Sequence, residues 1–138
     1  MVIPYIASQD VEGTLKFFSE KLGFALQMSL PGADGKTNFG IVTQGESITV
    51  MVGKPDASDQ GKLGTGVQFW LYPPDVDLDA FFNDVKAKGV TIVEEITDGY
   101  WGDRFFTVTD PNGYRFTFAK TIRQVTMDDI TRLHAEQA

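Results

Sequence analysis

Residues Gly99 to Lys120 read GYWGDRFFTVTDPNGYRFTFAK, and their pattern decides the fold. Arg104 to Thr109 and Tyr114 to Lys120 are rich in aromatic and β-branched side chains, which suit the pleated, half-buried surface of a strand. Between them Asp110-Pro111-Asn112-Gly113 supplies a proline with its φ preset and a glycine that tolerates positive φ. The pattern predicts a hairpin. Ahead of it, Tyr100-Trp101-Gly102-Asp103 sets an indole beside a glycine and a carboxylate where a loop enters the sheet. A tryptophan so placed can serve as a wall for a flat ligand.

Outward from this hairpin, one set of elements is used twice. Gly66 to Tyr72 predicts an aromatic strand and Pro73-Pro74-Asp75-Val76 a rigid turn. Asp77 or Asp75 then caps a helix to Lys88 with Leu78, Phe81, Phe82 and Val85 inward, Gly89 stops it, and Val90 to Ile96 is the strand leading back to the hairpin. In the first half Val2 to Ala7 predicts a strand, Gln9 or Asp10 a cap, and Val11 to Leu22 a helix stopped by Gly23. Its Val11, Leu15, Phe18 and Leu22 fall at core-facing spacing.

Phe24 to Leu30 predicts a strand with Phe24, Leu26 and Met28 on one face, followed by the turn-rich Pro31 to Lys36. Thr37 to Thr43 and Ser47 to Gly53 form a second hairpin across Gln44-Gly45-Glu46. Lys54 to Gly64 collects Pro, Asp, Ser and Gly without periodicity and reads as the connector between halves. Strand, helix and three strands thus recur at a spacing of about 65 residues. Thr121 to Ala138 is a polar tail in which Thr126-Met127-Asp128-Asp129 caps a short helix to about Gln137, with Ile130, Leu133 and Met127 packing down.

A length of 138 residues fits one domain, and 42% hydrophobic residues with 11 Phe can fill its core. With 19 acidic against 12 basic side chains the net charge is -7, a field that repels phosphate backbones and argues against nucleic acid as a partner. The lack of cysteine excludes disulfides, thiolate ligands and a Cys nucleophile. No basic, apolar leader opens the sequence and no run of about 18 apolar residues follows, so a soluble cytoplasmic protein without a membrane partner is expected. There is no GxSxG and no phosphate-cradling strand-to-helix turn. Glu94 and Glu95 alternate across a strand and cannot share a proton as a catalytic dyad.

Two βαβββ halves, each a curved sheet with a helix on one face, can pair to enclose a cleft. In Asp10, Phe17-Phe18 and Leu22-Gly23-Phe24, and in Trp101-Gly102 and Asp110-Pro111-Asn112-Gly113, the chain resembles the vicinal oxygen chelate superfamily. That superfamily includes glyoxalase, extradiol dioxygenases, fosfomycin resistance enzymes and bleomycin resistance proteins. The resemblance spans Val2 to about Lys120. It implies an α+β fold in which two βαβββ modules, about 1–53 and 65–120, form a curved mixed sheet around a cleft with helices on the outer face. The expected organisation is a single domain over residues 1–120 followed by the 121–138 tail. Many chemistries share such a scaffold, so function has to be argued from the site.

Enzymes of the superfamily hold a divalent ion through His, Gln or Glu on the first and last strands of each half. The internal repeat carries those positions to Ile3, Thr49, Gln68 and Thr117, of which only Gln68 is a plausible ligand. A first-row catalytic site generally takes three imidazole or carboxylate ligands. The single histidine, His134, lies in the tail and reads as a solvated helix-end residue, while Glu46, Glu94, Glu95 and Asp103 fall in a turn, strand ends or loops. Neither a metal nor another cofactor is expected.

What remains is a cleft of aromatic and neutral polar positions, with Gln68 and Trp70 on one face of their strand and Phe69 and Leu71 on the other. Within the superfamily, bleomycin resistance proteins are similar to this chain in Trp101-Gly102, in the Asp-Pro-x-Gly turn and in an early-strand aromatic matched by Phe39. That resemblance implies stoichiometric drug binding without a catalytic metal, by a homodimer whose clefts lie across the subunit interface. It implies that Trp101 and Phe39 sandwich flat rings and that Asp103 meets a cationic group. Trp70, Gln68, Arg104, Thr49 and Thr117 complete the expected ligand site. The expected function is sequestration of a planar, cationic, drug-like molecule, which leans away from an enzyme. The alternatives are a divalent-metal-dependent lyase or dioxygenase-like enzyme, and an interaction module with a vestigial cleft.

Overall fold

The structure, a computed structural model, describes residues 1–56 and 61–137. The expected connector Lys54 to Gly64 therefore lies partly outside the described residues, as does Ala138 at the end of the tail. Strand, helix and three strands occur twice. The first set is β1 (Tyr5–Ala7), α1 (Val11–Lys16), β2 (Ala25–Pro31), β3 (Thr37–Gln44) and β4 (Ile48–Gly53). The second is β5 (Gln68–Leu71), α2 (Leu78–Ala87), β6 (Ile92–Asp98), β7 (Asp103–Thr109) and β8 (Arg115–Thr121), with α3 (Met127–Gln137) after it.

Each set closes its own four-stranded mixed sheet, in the orders β1-β4-β3-β2 and β5-β8-β7-β6. In both, the strand before the helix pairs parallel to the last strand of its set, β1 with β4 and β5 with β8, and the remaining pairs are antiparallel. The fold is α+β, built from two βαβββ modules with open sheets. The hairpin of β7 and β8 runs in unbroken register from Thr109 opposite Arg115 to Asp103 opposite Thr121. At its tip Asp110 accepts from the backbone N–H groups of Asn112 and Tyr114.

Helix ends follow the sequence. Asp10 accepts from the Gly13 N–H at 3.0 Å and Asp77 from that of Ala80 at 3.1 Å, so each supplies one of the acceptors that a helix N-terminus lacks. Gly23 and Gly89 take φ values of 73° and 78° just after the helical segments, a conformation that costs glycine little. The helix begun at Val11 does not stay α-helical: residues Phe17–Lys21 widen into a π-helical turn, with the Leu22 N–H donating to the Phe17 carbonyl at 3.2 Å. The expected stripe of Val11, Leu15, Phe18 and Leu22 is nevertheless buried.

One apolar cluster serves both modules. Phe18 of the first packs edge-on against Phe116 of the second at 5.2 Å between ring centroids, and Phe24 reaches Phe118 at 6.3 Å. Val42, Val50 and Val52 join it from the first sheet and Phe106, Val108, Phe116 and Phe118 from the second, with Leu78, Phe82 and Val85 of α2. Polar bonds tie the modules as well: the Tyr114 hydroxyl accepts from the Ala7 N–H at 3.2 Å, and Asn112 Nδ2 donates to Thr14 Oγ1 at 3.0 Å.

Two expectations are corrected. A bulge between Leu26 and Met28 sets Leu26 opposite Val42 but Met28 opposite Ile41, so they face opposite sides of the sheet. In α3, capped by Thr126 Oγ1 accepting from the Asp129 N–H, Ile130 and Leu133 are half-buried but Met127 is 70% exposed. Among the described residues no helix is long and apolar enough to cross a membrane.

Candidate functional site

Alternation along the central hairpin decides what the open face of the second sheet carries. Phe106, Val108, Phe116 and Phe118 point into the core, so Phe105, Thr107, Thr117 and Ala119 point the other way. From β5, Gln68 and Trp70 join that open face, while Phe69 and Leu71 face the core. Gln68 Nε2 donates to Thr117 Oγ1 at 2.7 Å, and the Thr107 and Thr117 hydroxyls lie 2.7 Å apart. This short chain of neutral hydrogen bonds forms a floor with its polar groups matched to one another.

Beside that floor stands an aromatic wall. The Trp101 ring stacks on Phe105 with centroids 5.3 Å apart and 27° between planes, Trp70 meets Trp101 at 5.8 Å and Phe105 at 5.2 Å, and Tyr100 abuts Trp101 edge-on at 5.1 Å. Asp103, buried at the start of β7, fixes the wall from behind. Its Oδ2 accepts from Trp101 Nε1 at 3.0 Å and from the Tyr72 hydroxyl at 2.7 Å, and its Oδ1 from Thr121 Oγ1 at 2.8 Å. Partial burial, the hydrogen bond to Asp103 and its negative charge push the Tyr72 phenol up to about 12.

Wall and floor border an open groove of about 610 Å³, also lined by Glu94 and Thr97 of β6 and by Arg123 and Gln137 of the tail. A bulge lets Glu94 pair with Thr107 and Thr97 with Phe105, which brings both β6 residues to this face. Glu95 lies across the strand from Glu94, with its carboxylate 2.9 Å from Lys86 Nζ of α2. A second groove, of about 410 Å³, runs along the seam between modules from Val2, Pro4 and Thr49 to Gln68, Trp70 and Tyr72. Gln68 and Trp70 line both grooves, so the two meet at β5.

The structure thus gathers Trp101, Trp70, Gln68 and Thr117 on one open face, with Thr49 along the adjoining seam. The other three expected residues are engaged elsewhere. Asp103, expected to meet a cationic group, spends its oxygens on Trp101, Tyr72 and Thr121 and supports the wall instead. Arg104 points away from the groove: it is bidentate to Asp79 of α2 at 2.7 and 3.1 Å and donates to Asp98 at 2.7 Å. This grip holds the Asp79 carboxyl below its ordinary range, chiefly through the hydrogen bonds, and raises the guanidinium. Phe39 is on β3 of the other module, stacked on Tyr5 at 6.1 Å, and is not a plate opposite Trp101 within the chain.

Sequence reasoning passed over Phe105, Thr107, Thr97, Arg123 and Gln137 as groove residues. The first two were legible, because they share the parity of Thr117 across the hairpin register. Thr97 depends on a bulge, and Arg123 and Gln137 on where the tail lies. His134, read as solvated, hydrogen-bonds through Nδ1 with the Tyr100 hydroxyl.

The positions that the internal repeat offers for a divalent ion are Ile3, Thr49, Gln68 and Thr117. One amide oxygen and two hydroxyls make a poor donor set, and the Thr117 hydroxyl is already engaged by Gln68 Nε2 and by Thr107. Among the described residues no three His, Asp or Glu side chains converge as ligands. The residues present do not fit such an ion.

Comparison with known proteins bears on the family and the fold. The Glyoxalase family model, described as Glyoxalase/Bleomycin resistance protein/Dioxygenase superfamily, matches residues 3–118. An uncharacterized protein of Mycobacterium tuberculosis is 28% identical over 141 residues, covering 97% of this chain and 82% of that protein. Among solved structures, TioX from Micromonospora sp. ML1 superposes with a TM-score of 0.70 at 23% identity, over 91% of this chain and 99% of TioX. TnmS3 from Streptomyces sp. CB03234, an antibiotic binding protein, superposes with a TM-score of 0.67 at 21% identity, over 84% of this chain and 90% of TnmS3. At these identities the likeness to the solved structures is one of fold.

Proposed function

The chain belongs to the Glyoxalase/Bleomycin resistance protein/Dioxygenase superfamily, and from that premise we propose that it binds a planar, cationic, drug-like molecule and acts by sequestering it. The observation that carries this reading is the wall of Trp70, Trp101 and Phe105, held by a buried carboxylate and facing a groove of about 610 Å³. A ligand pocket of a few hundred cubic ångströms with aromatic lining and a few fixed polar groups suits a small molecule. Each stacking or cation–π contact contributes on the order of 1 kcal/mol, and the net charge of -7 attracts a cation. Binding without turnover is favoured because the family's ligand positions hold Ile3, Thr49, Gln68 and Thr117, and fold likeness to an antibiotic binding protein supports the same reading.

The working unit in this proposal is a homodimer. On the first module Tyr5, Met28, Leu30, Phe39, Ile41 and Met51 share the open face by register, with Tyr5, Met28 and Leu30 exposed at 57%, 42% and 47%. An apolar patch of this kind on a soluble chain marks an interaction surface. A second copy would cover it and could bring Phe39 to a partner's groove.

Equilibrium dialysis against acridine orange, a planar cation, tests the proposal. One dye per chain is expected in buffer containing a metal chelator. Dye uptake only after a divalent ion is added would overturn binding without a metal.

A further inference from the structure

The tail reaches the groove through Arg123 and Gln137. We propose that the tail belongs to the ligand site, and that Arg123 together with Glu94 of β6 selects a planar cation that also bears an anionic group. This inference rests on the groove being the ligand site. The tail is built against the groove at a defined point: the backbone N–H groups of Ile122 and Arg123 both donate to the Gly102 carbonyl, at 2.9 and 3.2 Å. Gly102 has φ 109°, and a Cβ there would lie 2.4 Å from the Arg123 carbonyl oxygen, so only glycine permits the approach without displacement. Farther on, the hydrogen bond of His134 to Tyr100 holds α3 beside the wall, and Gln137 lines the groove.

Arg123 lines the groove with its side chain exposed. Its guanidinium makes one long hydrogen bond, Nη2 to the Gly99 carbonyl at 3.4 Å, and has no carboxylate partner among the described residues. Its other four N–H donors meet no partner among the described residues. Glu94, exposed on the same groove, likewise has no ion-pair partner among the described residues, whereas Asp98 beside it is held by Arg104. Among the described residues the groove therefore carries one cation and one anion without an ion-pair partner, around an aromatic wall. A guanidinium pairs best with a carboxylate or phosphate, and a carboxylate with a cationic ring substituent.

The test uses the full chain with rhodamine B, a planar cation bearing a carboxylate, and its ethyl ester, which lacks that negative charge. Binding is read by dye anisotropy. Rhodamine B is expected to bind about tenfold more tightly than the ester, a difference that Arg123→Gln abolishes by weakening rhodamine B alone. Glu94→Gln weakens both dyes. Arg132→Gln removes the same charge from an outward position on α3, where Arg132 pairs with Asp129 and Glu136, and leaves both affinities unchanged. Equal binding of acid and ester, or an Arg132→Gln effect equal to that of Arg123→Gln, overturns the inference while the groove stands. Failure of both dyes to bind the unaltered chain overturns the groove reading and this inference with it.

Discussion

Asp103 shows how a single buried carboxylate can set the shape of a site without touching what the site holds. Three donors converge on it from Trp101, Tyr72 and Thr121. Asp103→Ala leaves all three without their acceptor and should cost about 3 kcal/mol in urea unfolding. Asp103→Asn, which keeps an acceptor, should cost less. Tyr72 gives this cluster a pH signature. Its proton is held to about 12 in the folded chain against 10.0 in the free side chain, so between those values only the unfolded chain releases it. Stability from this group is complete below pH 10 and lost as pH rises toward 12, and Tyr72→Phe should flatten the fall in urea midpoints measured from pH 9 to 11.5. From the sequence Trp101 is legible as a ring beside the groove, whereas the three hydrogen bonds that Asp103 accepts within the fold are not. Two donors that close on its carboxylate come from positions 31 and 18 residues away, which no local pattern connects.

At the scale of elements, the periodic signals held wherever burial enforced them. The stripe from Val11 to Leu22, both N-caps and the β7–β8 hairpin follow directly from side-chain spacing and turn chemistry. Asp10→Ala removes the acceptor for the Gly13 N–H and should lower stability by about 1 kcal/mol, measured by thermal or urea unfolding. What the spacing did not carry were the one-residue irregularities, namely the π-helical turn at Phe17–Lys21 and the bulges in β2 and β6. An inserted residue changes which side chains face the groove, yet β2 and β6 are largely exposed and their alternation was too weak to register it. Thr97 entered the groove that way.

For the whole molecule, two modules with a common core leave two open faces of different character. The second is walled by aromatics and floored by paired hydroxyls; the first is an apolar surface around Phe39 and Met28. The duplication was readable because element order repeats. The position of the tail, and the separation of Phe39 from Trp101, were not, since both depend on packing between distant segments. If the first face seats a second copy, sedimentation velocity should find a species of twice 15.3 kDa, and Leu30→Lys should shift it toward the single chain without loss of helical signal. A single-chain species at micromolar concentration would remove the dimer from the account. The most direct trial of the aromatic groove is intrinsic tryptophan fluorescence during titration with acridine orange, with Trp70 left as reporter when Trp101 is replaced. Quenching is expected to saturate at one dye per chain and to disappear in Trp101→Ala with the fold intact by circular dichroism. Quenching that persists undiminished in Trp101→Ala, or none in the unaltered chain, would contradict it.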